Sequence, residues 1–510
     1  MEKHIKGLTF VLVTLALYSC SNGGKKENAP TPPNIIYILA DDMGVGDIQA
    51  FNPDGKIKTP HLDQLAADGM RFTDAHTSSS VCTPTRYGIM TGRYNWRSTL
   101  KSGVLWGDAE GLIDTARATV PSILHNQGYH TAYVGKWHLG WNWAHDEDGN
   151  IDFTKPITHN PNDNGFDYAY GHVASLDIPP YVYVENGKVT ALPVDSTEST
   201  DKYGWWRKGA TGADFDHEDV TPNFFRRSIK YVQDRAASDK PFFLYLPLPS
   251  PHSPILPTAE WQGKSGLNPY GDFVMMVDDY VGQLVASVKE AGIEENTLFI
   301  FVTDNGCSPA SKPDELIAKG HHPSGPYRGF KADIYEGGHR VPFIAKWPRI
   351  IKAGTVNTQT ICTTDLMATC AEIVGYQLKD DEGEDSYSLL PLFEGQDLSQ
   401  PFREATVHHS INGSFAIRKG DWKLAMCPGS GGWSFPTPKE VKEMDSLPPV
   451  QLYNLKEDPA ETNNLQSTYP AKVEELKQLL TQYITEGRST SGKPQTNDGN
   501  GVWDQLWWMK

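Results

Sequence analysis

The stretch Ile35-Ile36-Tyr37-Ile38-Leu39-Ala40-Asp41-Asp42 is an unbroken apolar run that stops at two carboxylates. A short run without polar alternation suits a strand buried on both faces, as in a parallel sheet covered by helices. The same form recurs at Thr131–Gly135, Phe242–Pro247, Leu298–Thr303 and Val341–Trp347. Helix-like segments with clear punctuation lie between the runs. Pro60 to Gly69 follows Thr59 as N-cap, Phe273 to Ala291 follows Asp272, and Asp365 to Val374 stops at Gly375. This alternation predicts an α/β fold: a large, mostly parallel sheet with helices on both faces.

The residues that follow the runs carry the chemistry. The first run ends in Asp41-Asp42, the second in Lys136-Trp137-His138, the third in the Pro251-His252-Ser253-Pro254 loop, and the fourth in Asp304-Asn305-Gly306. In open α/β sheets ligands bind beyond the carboxyl ends of the strands, so these four ends are expected to line one cleft. Asp41 and Asp42 are hard oxygen donors whose mutual repulsion a divalent cation relieves, and Asp304 and Asn305 add two more. An all-oxygen set points to Ca²⁺ in preference to Mg²⁺, and away from zinc. Lys136 and His138 are two apart, so an extended backbone turns both to one side. His252 sits in a loop stiffened by prolines.

A further motif is Cys82-Thr83-Pro84-Thr85-Arg86. Pro84 suits the first turn of a helix, which places Cys82 at its N-terminus, where backbone amides favour anions. Arg86 lies four residues on, along the same face. Taken with the strand-end residues and with Lys331, shortly before Glu336-Gly337-Gly338, the chain resembles the type I sulfatases. In that family the cysteine of a Cys-x-Pro-x-Arg motif is converted to formylglycine by a maturation enzyme. Thr85 stands where Ser or Ala is commoner.

The resemblance runs from Pro33-Asn34-Ile35 to Glu457-Asp458-Pro459-Ala460-Glu461 and implies an alkaline-phosphatase-like fold with a smaller C-terminal domain. It implies Asp41, Asp42, Asp304, Asn305 and the modified Cys82 as metal ligands. It also implies Cys82, Arg86, His138 and His252 as catalytic, Lys136 and Lys331 as sulfate-binding, and a further substrate contact within Ser175 to Tyr181. His252 is the expected acid for the leaving oxygen, with Lys331 as the alternative. The implied substrate is a sulfate ester, here of a sulfated carbohydrate. The run from Arg93-Tyr94-Asn95-Trp96-Arg97 through Trp106 resembles members acting on galactose or N-acetylgalactosamine sulfates. Two rivals are a phosphatase or phosphodiesterase of the same superfamily, and a silent glycan-binding lipoprotein with unmodified Cys82.

The chain has 510 residues, enough for two or three domains, and a net charge of −17 (46 Lys and Arg against 63 Asp and Glu). That balance disfavours a nucleic-acid or anionic-membrane partner and requires any anion site to be a local cationic pocket. Residues 1–20 read as an export signal: Lys3 and Lys6, then an apolar run from Leu8 to Tyr18 too short to span a bilayer. Leu17-Tyr18-Ser19-Cys20 resembles a lipoprotein box with Cys20 lipidated, predicting a lipid anchor and a periplasmic or cell-envelope location. A plain cleaved secretory signal is the alternative. Residues 21–33 read as a tether, 34–402 as the catalytic domain, and 403–510 as an α+β domain with an antiparallel sheet. Its strands are Ala405–His408, Ser414–Arg418, Trp422–Met426 and Gln451–Asn454, followed by a helix from Ala471 to Glu486. The tail tryptophans, Trp503, Trp507 and Trp508, are expected to wedge into the core. Cys362 and Cys370 read either as one disulfide or as free buried thiols.

Overall fold

A computed structural model describes residues 31–510 apart from Ser399, Asp445, Asn500 and Val502. The export signal with Cys20, and the tether up to residue 30, lie outside the described residues. The ten-stranded sheet is built, in chain order, from β1 (Asn34–Ala40), β2 (Met70–Phe72), β3 (His130–Lys136), β4 (Tyr168–His172), β5 (Val184–Glu185), β6 (Lys188–Val189), β7 (Phe242–Pro247), β8 (Thr297–Thr303), β9 (Phe343–Lys346) and β10 (Thr355–Asn357). Its spatial order is β10-β2-β9-β8-β1-β7-β3-β4-β5-β6. β1 is central, running parallel to β7 with Ile35 beside Phe243, and to β8 with Ala40 beside Thr303. β3 is parallel to β7 and to β4.

The period of two along a strand explains the layers. Ile35, Tyr37 and Leu39 face one core with Tyr245 and Ile300; Ile36, Ile38 and Ala40 face the other with Leu244 and Phe301. Helices α2 (Cys82–Thr91), α3 (Val120–Asn126) and α6 (Leu366–Ile373) close the first core. Helices α1 (Pro60–Ala67), α4 (Val220–Ala236) and α5 (Pro269–Glu290) close the second. Both faces are dry, which is why the runs read as continuous rather than alternating.

Three readings need correction. The run at Val341–Trp347 forms β9 at Phe343–Lys346, but antiparallel to β8. Its carboxyl end therefore leaves the cleft, and Lys346 pairs with Asp68 at 3.1 Å and Glu294 at 2.7 Å. Helix α5 starts a turn earlier than expected, with Asn268, not Asp272, as its N-cap, accepting from the Gly271 amide. Asp272 instead accepts from the amides of Gly263 and Ser265. Thr59 occupies the N-cap position of α1 without capping it, because its hydroxyl accepts from the Gln49 amide.

A separate antiparallel sheet follows: β11 (Thr406–His409), β12 (Phe415–Lys419), β13 (Trp422–Ala425) and β14 (Gln451–Asn454), adjacent in chain order. Helix α7 (Pro470–Glu486) covers it, packing Leu476, Leu480 and Ile484 on Val407, Ile417 and Leu424. Trp503 and Trp508 pack on this smaller core as expected of the tail, while Trp507 is 43% exposed. Tyr94 and Trp96 are buried in the same core, with Arg97 over the Trp96 ring at 4.1 Å. The 93–97 run is thus structural. Cys82, Cys307, Cys362, Cys370 and Cys427 are all free and buried, so Cys362 and Cys370 form no bridge.

Candidate active site

The parallel strands β1, β3, β7 and β8 deliver their ends to one place. Asp41 and Asp42 leave β1, with Asp42 at φ 64°, a left-handed turn that Asp tolerates better than most residues. Lys136 closes β3 and sends its ammonium to Asp41 Oδ2. His138 arrives differently from the extended geometry expected, because it sits at φ 56° and not in a strand. Its Nε2 donates to the Leu105 carbonyl at 3.0 Å, since a carbonyl only accepts, and this leaves Nδ1 as a buried acceptor without a partner. Burial first, then the charges of Lys136 and Arg86, hold this imidazole well below its ordinary pKa, so it is neutral.

Arg86 is fully buried and braces the carboxylates rather than Cys82 itself. Its Nε and Nη2 donate to Asp304 Oδ2 at 3.2 and 2.9 Å, Nη2 reaches Asp41 Oδ2 at 3.3 Å, and Nη1 donates to the Lys136 carbonyl at 2.7 Å. Lys331 completes the cationic set, 2.6 Å from Asp42 Oδ1, an oxygen that also accepts from Asn305 Nδ2 at 2.7 Å. Burial would lower the Lys331 pKa, but the Asp42 carboxylate overrides it and raises the group above its usual range. Asp304-Asn305-Gly306 is more than a turn. A Cβ on Gly306 would lie 1.8 Å from the Gly337 carbonyl, so only glycine lets the Glu336-Gly337-Gly338 segment close over this strand end.

The crowded acids respond unequally. Burial acts upward on Asp41, yet Lys136, His252 and Arg86 hold it well below the carboxylate range. Asp304 is pushed up to about 7 by burial and by the Asp41 charge, against Arg86. Oxygens of Asp41, Asp42 and Asp304 lie within 4.8 Å of one another. Asp41 Oδ1, Asp42 Oδ2 and Asn305 Oδ1 are buried without any partner. Buried polar atoms are nearly always satisfied, so three orphaned oxygens converging from two strand ends fit a hard cation.

Cys82 opens α2 and is 2% exposed. Its sulfur, an Asp41 oxygen and a His252 nitrogen lie mutually within 4.8 Å. Burial raises the Cys82 thiol above its ordinary pKa despite Lys136 and Lys331, so as a cysteine it stays protonated and unreactive. The Nδ1 of His252 donates to the Ser253 carbonyl at 2.5 Å, which turns Nε2 toward Asp42 Oδ2, 3.6 Å away. The side chain keeps 11% exposure, the opening through which a substrate oxygen could reach it.

All ten site residues expected from the sequence, Cys20 aside, therefore meet in one pocket. The sequence reading missed Leu105, whose amide donates to Thr83 Oγ1 at 3.2 Å while its carbonyl holds His138. The next residue, Trp106, is 54% exposed and lies against Arg207, itself paired with Asp177 at 2.5 Å. No spacing in the sequence marks this connection. A buried cluster of His76, His339 and His408 was equally invisible. Its nitrogens are largely committed to Asp74, Lys423, Thr77 and one another, and the His339 and His408 rings stack at 3.9 Å, so their lone pairs do not converge on an ion.

Residues 33–376 match the family described as sulfatase, and residues 327–489 match that described as N-sulphoglucosamine sulphohydrolase, C-terminal. An N-acetylgalactosamine-6-O-sulfatase of Bacteroides thetaiotaomicron is 33% identical, covering 94% of this chain and 99% of its own. Human arylsulfatase A is 31% identical over 88% of this chain and 87% of its own. A solved Bacteroides thetaiotaomicron sulfatase, from work on the metabolism of multiple glycosaminoglycans, superposes with a TM-score of 0.79 at 33% identity, covering 89% of this chain and 99% of that one. A Pseudoalteromonas sulfatase shares the fold, with a TM-score of 0.70 at 24% identity over 90% and 92% of the two chains. With strand-end carboxylates, cations and Cys82 gathered as described, the chain belongs to the sulfatase family and is a sulfuric ester hydrolase.

Proposed function

We propose that this enzyme removes sulfate from a glycan, a galactose or N-acetylgalactosamine sulfate, using formylglycine made from Cys82 and a bound Ca²⁺. The observation that carries the reading is the set of orphaned oxygens on Asp41, Asp42 and Asn305 beside a buried Cys82 at a helix start. The sugar is supported by the similarity to N-acetylgalactosamine-6-sulfatases from bacteria and mouse. Asp41, Asp42, Asp304, Asn305 and residue 82 would hold the cation, which would supply charge neutralisation at the sulfuryl oxygens. An aldehyde hydrate at position 82 would supply an oxygen nucleophile and a second hydroxyl, so that sulfate is not trapped as it would be on a thiol.

The chain's own residues do the rest. Lys136 and Lys331 are fixed cations in a dry pocket, where charge developing on the sulfuryl group is stabilised without reorganisation. Arg86 keeps Asp41 and Asp304 from moving apart. His138 offers Nδ1 as an acceptor to a hydroxyl at position 82. His252 protonates the departing sugar oxygen through Nε2, the nitrogen that its Ser253 contact leaves toward the site. Trp106 offers an exposed aromatic face to the sugar beside this machinery.

Mass spectrometry of the peptide holding residue 82, from protein made together with a maturation enzyme, tests the reading. The mass of an aldehyde in place of the thiol-bearing carbon is expected. Full turnover by Cys82→Ala overturns it, and faster turnover of matched phosphate esters would favour the phosphatase alternative. Export with lipidation at Cys20 belongs to the same proposal, resting on the leader sequence, and loss of membrane association in Cys20→Ala tests it. Among the described residues no helix is long and apolar enough to cross a membrane.

A further inference from the structure

Lys331 sits on a segment that is fastened to the loop between β13 and β14. The Ile334 amide donates to the Ser430 carbonyl at 2.7 Å. Asp333, buried two residues beyond Lys331, accepts from the amides of Trp433 at 2.9 Å and Ser434 at 3.0 Å, and from the Ser434 hydroxyl. A Cβ on Gly432 would lie 2.4 Å from the Ala332 carbonyl, so the two backbones touch. In an extended chain, residues two apart are at most about 7 Å from one another, so this loop lies within one sugar's length of the Lys331 backbone.

The loop nevertheless leaves its largest apolar side chains outside. Trp433 is 49% exposed and Phe435 65%, whereas Trp96, Trp137, Trp141, Trp143 and Trp347 are buried in the cores. Burying these rings would stabilise the fold, so rigidly held exposed aromatics at the edge of an active site need another partner. The far side of the loop borders a cleft of about 290 Å³ lined by Met426, Gly431, Val441 and Trp507. The surface beside Lys331 is therefore aromatic at Trp433 and Phe435, and the charges of the neighbouring cleft, Lys442 and Asp504, are of opposite sign. That chemistry suits the apolar face of a sugar ring and does not suit a second sulfate.

We infer that Trp433 and Phe435 form a subsite for the sugar next to the sulfated residue, making this enzyme prefer a sulfated oligosaccharide over the sulfated monosaccharide. The inference rests on the sulfatase reading above and adds a specificity determinant contributed by the small sheet. Asp333 is the positioning residue: it locks the loop to the segment that carries Lys331, so substrate length is sensed next to the sulfuryl site.

The test compares kcat/KM for N-acetylgalactosamine 6-sulfate and for a disaccharide carrying the same sulfated residue, in mature wild type and in the Trp433→Ala/Phe435→Ala double variant. The wild type should favour the disaccharide by about tenfold, through KM, and the double variant should lose that preference while its monosaccharide turnover is unchanged. Trp433→Phe should restore most of it. Calorimetric binding of the disaccharide to Cys82→Ala, with and without the double substitution, should show the same loss without catalysis. An unchanged preference, or equal losses on both substrates, overturns the subsite. Failure of wild type to cleave either ester, with the Cys82→Ala binding difference intact, would refute the N-acetylgalactosamine 6-sulfate reading and leave the subsite standing.

Discussion

Replacing His252 by alanine should separate leaving-group protonation from mere packing. The Nδ1 bond to Ser253 is local, and the side chain is nearly buried beside Asp42. Its loss should cost about 1 kcal/mol of stability, the usual net worth of one hydrogen bond. The catalytic effect should be much larger and should depend on the substrate. A general acid contributes ~10²–10⁴-fold, equivalent to about 2.7–5.4 kcal/mol of barrier, when the leaving oxygen is a basic sugar alkoxide. A nitrophenolate leaves without that help, so the same variant should lose far less on nitrophenyl sulfate. The assay is kcat/KM for both esters across pH, with thermal unfolding as the control for folding. Equal losses on the two esters would refute the assignment and move the acid role to Lys331, whose ammonium lies 2.6 Å from Asp42 Oδ1. Small equal losses would show that His252 only packs in its loop.

Lys331→Ala should leave Asp42 as an unpaired buried charge and destabilise the apoprotein by about 3–5 kcal/mol, measurable by denaturant titration. Arg86→Lys keeps the charge but loses the two-nitrogen grip on Asp304 Oδ2, so turnover should fall at least tenfold despite a folded protein. Chelation should abolish activity, with recovery on adding Ca²⁺; elemental analysis finding stoichiometric zinc would count against the oxygen-donor reading. The buried imidazoles of His76, His339 and His408 are all held below their ordinary pKa, by burial first. The unfolded chain then takes up protons first as pH falls below about 6.5. The stability they confer is therefore full above that pH and lost below it, by up to ~1.4 kcal/mol per pH unit for each ring. A melting temperature that drops steeply from pH 6.5 to 5, and less steeply in His408→Gln, is the expected outcome.

Much of the site is local in origin and so legible in one dimension. The apolar runs of β1, β7 and β8 are strands because every side chain in them is buried, and parallel pairing of buried strands sends their ends to one side. That single rule brings Asp41, Asp42, Asp304, Asn305 and His252 together before any coordinates exist. Pro84 and the spacing to Arg86 likewise place Cys82 at a helix start without reference to the rest of the chain. What the sequence could not decide depends on contacts between distant segments. The antiparallel course of β9 is set by its neighbours β8 and β2, not by its own composition, which is as apolar as a parallel strand. Arg86 braces carboxylates instead of Cys82 because two strand ends happen to meet at its guanidinium. His138 reaches the pocket through a left-handed backbone pinned by Leu105, 33 residues away. The His76–His339 contact and the Asp333 clamp on Trp433 join residues 263 and 100 apart. Charge and hydrophobic period are properties of a segment and survive in sequence. The partner that satisfies a buried polar atom belongs to the packed chain, and only tertiary structure selects it.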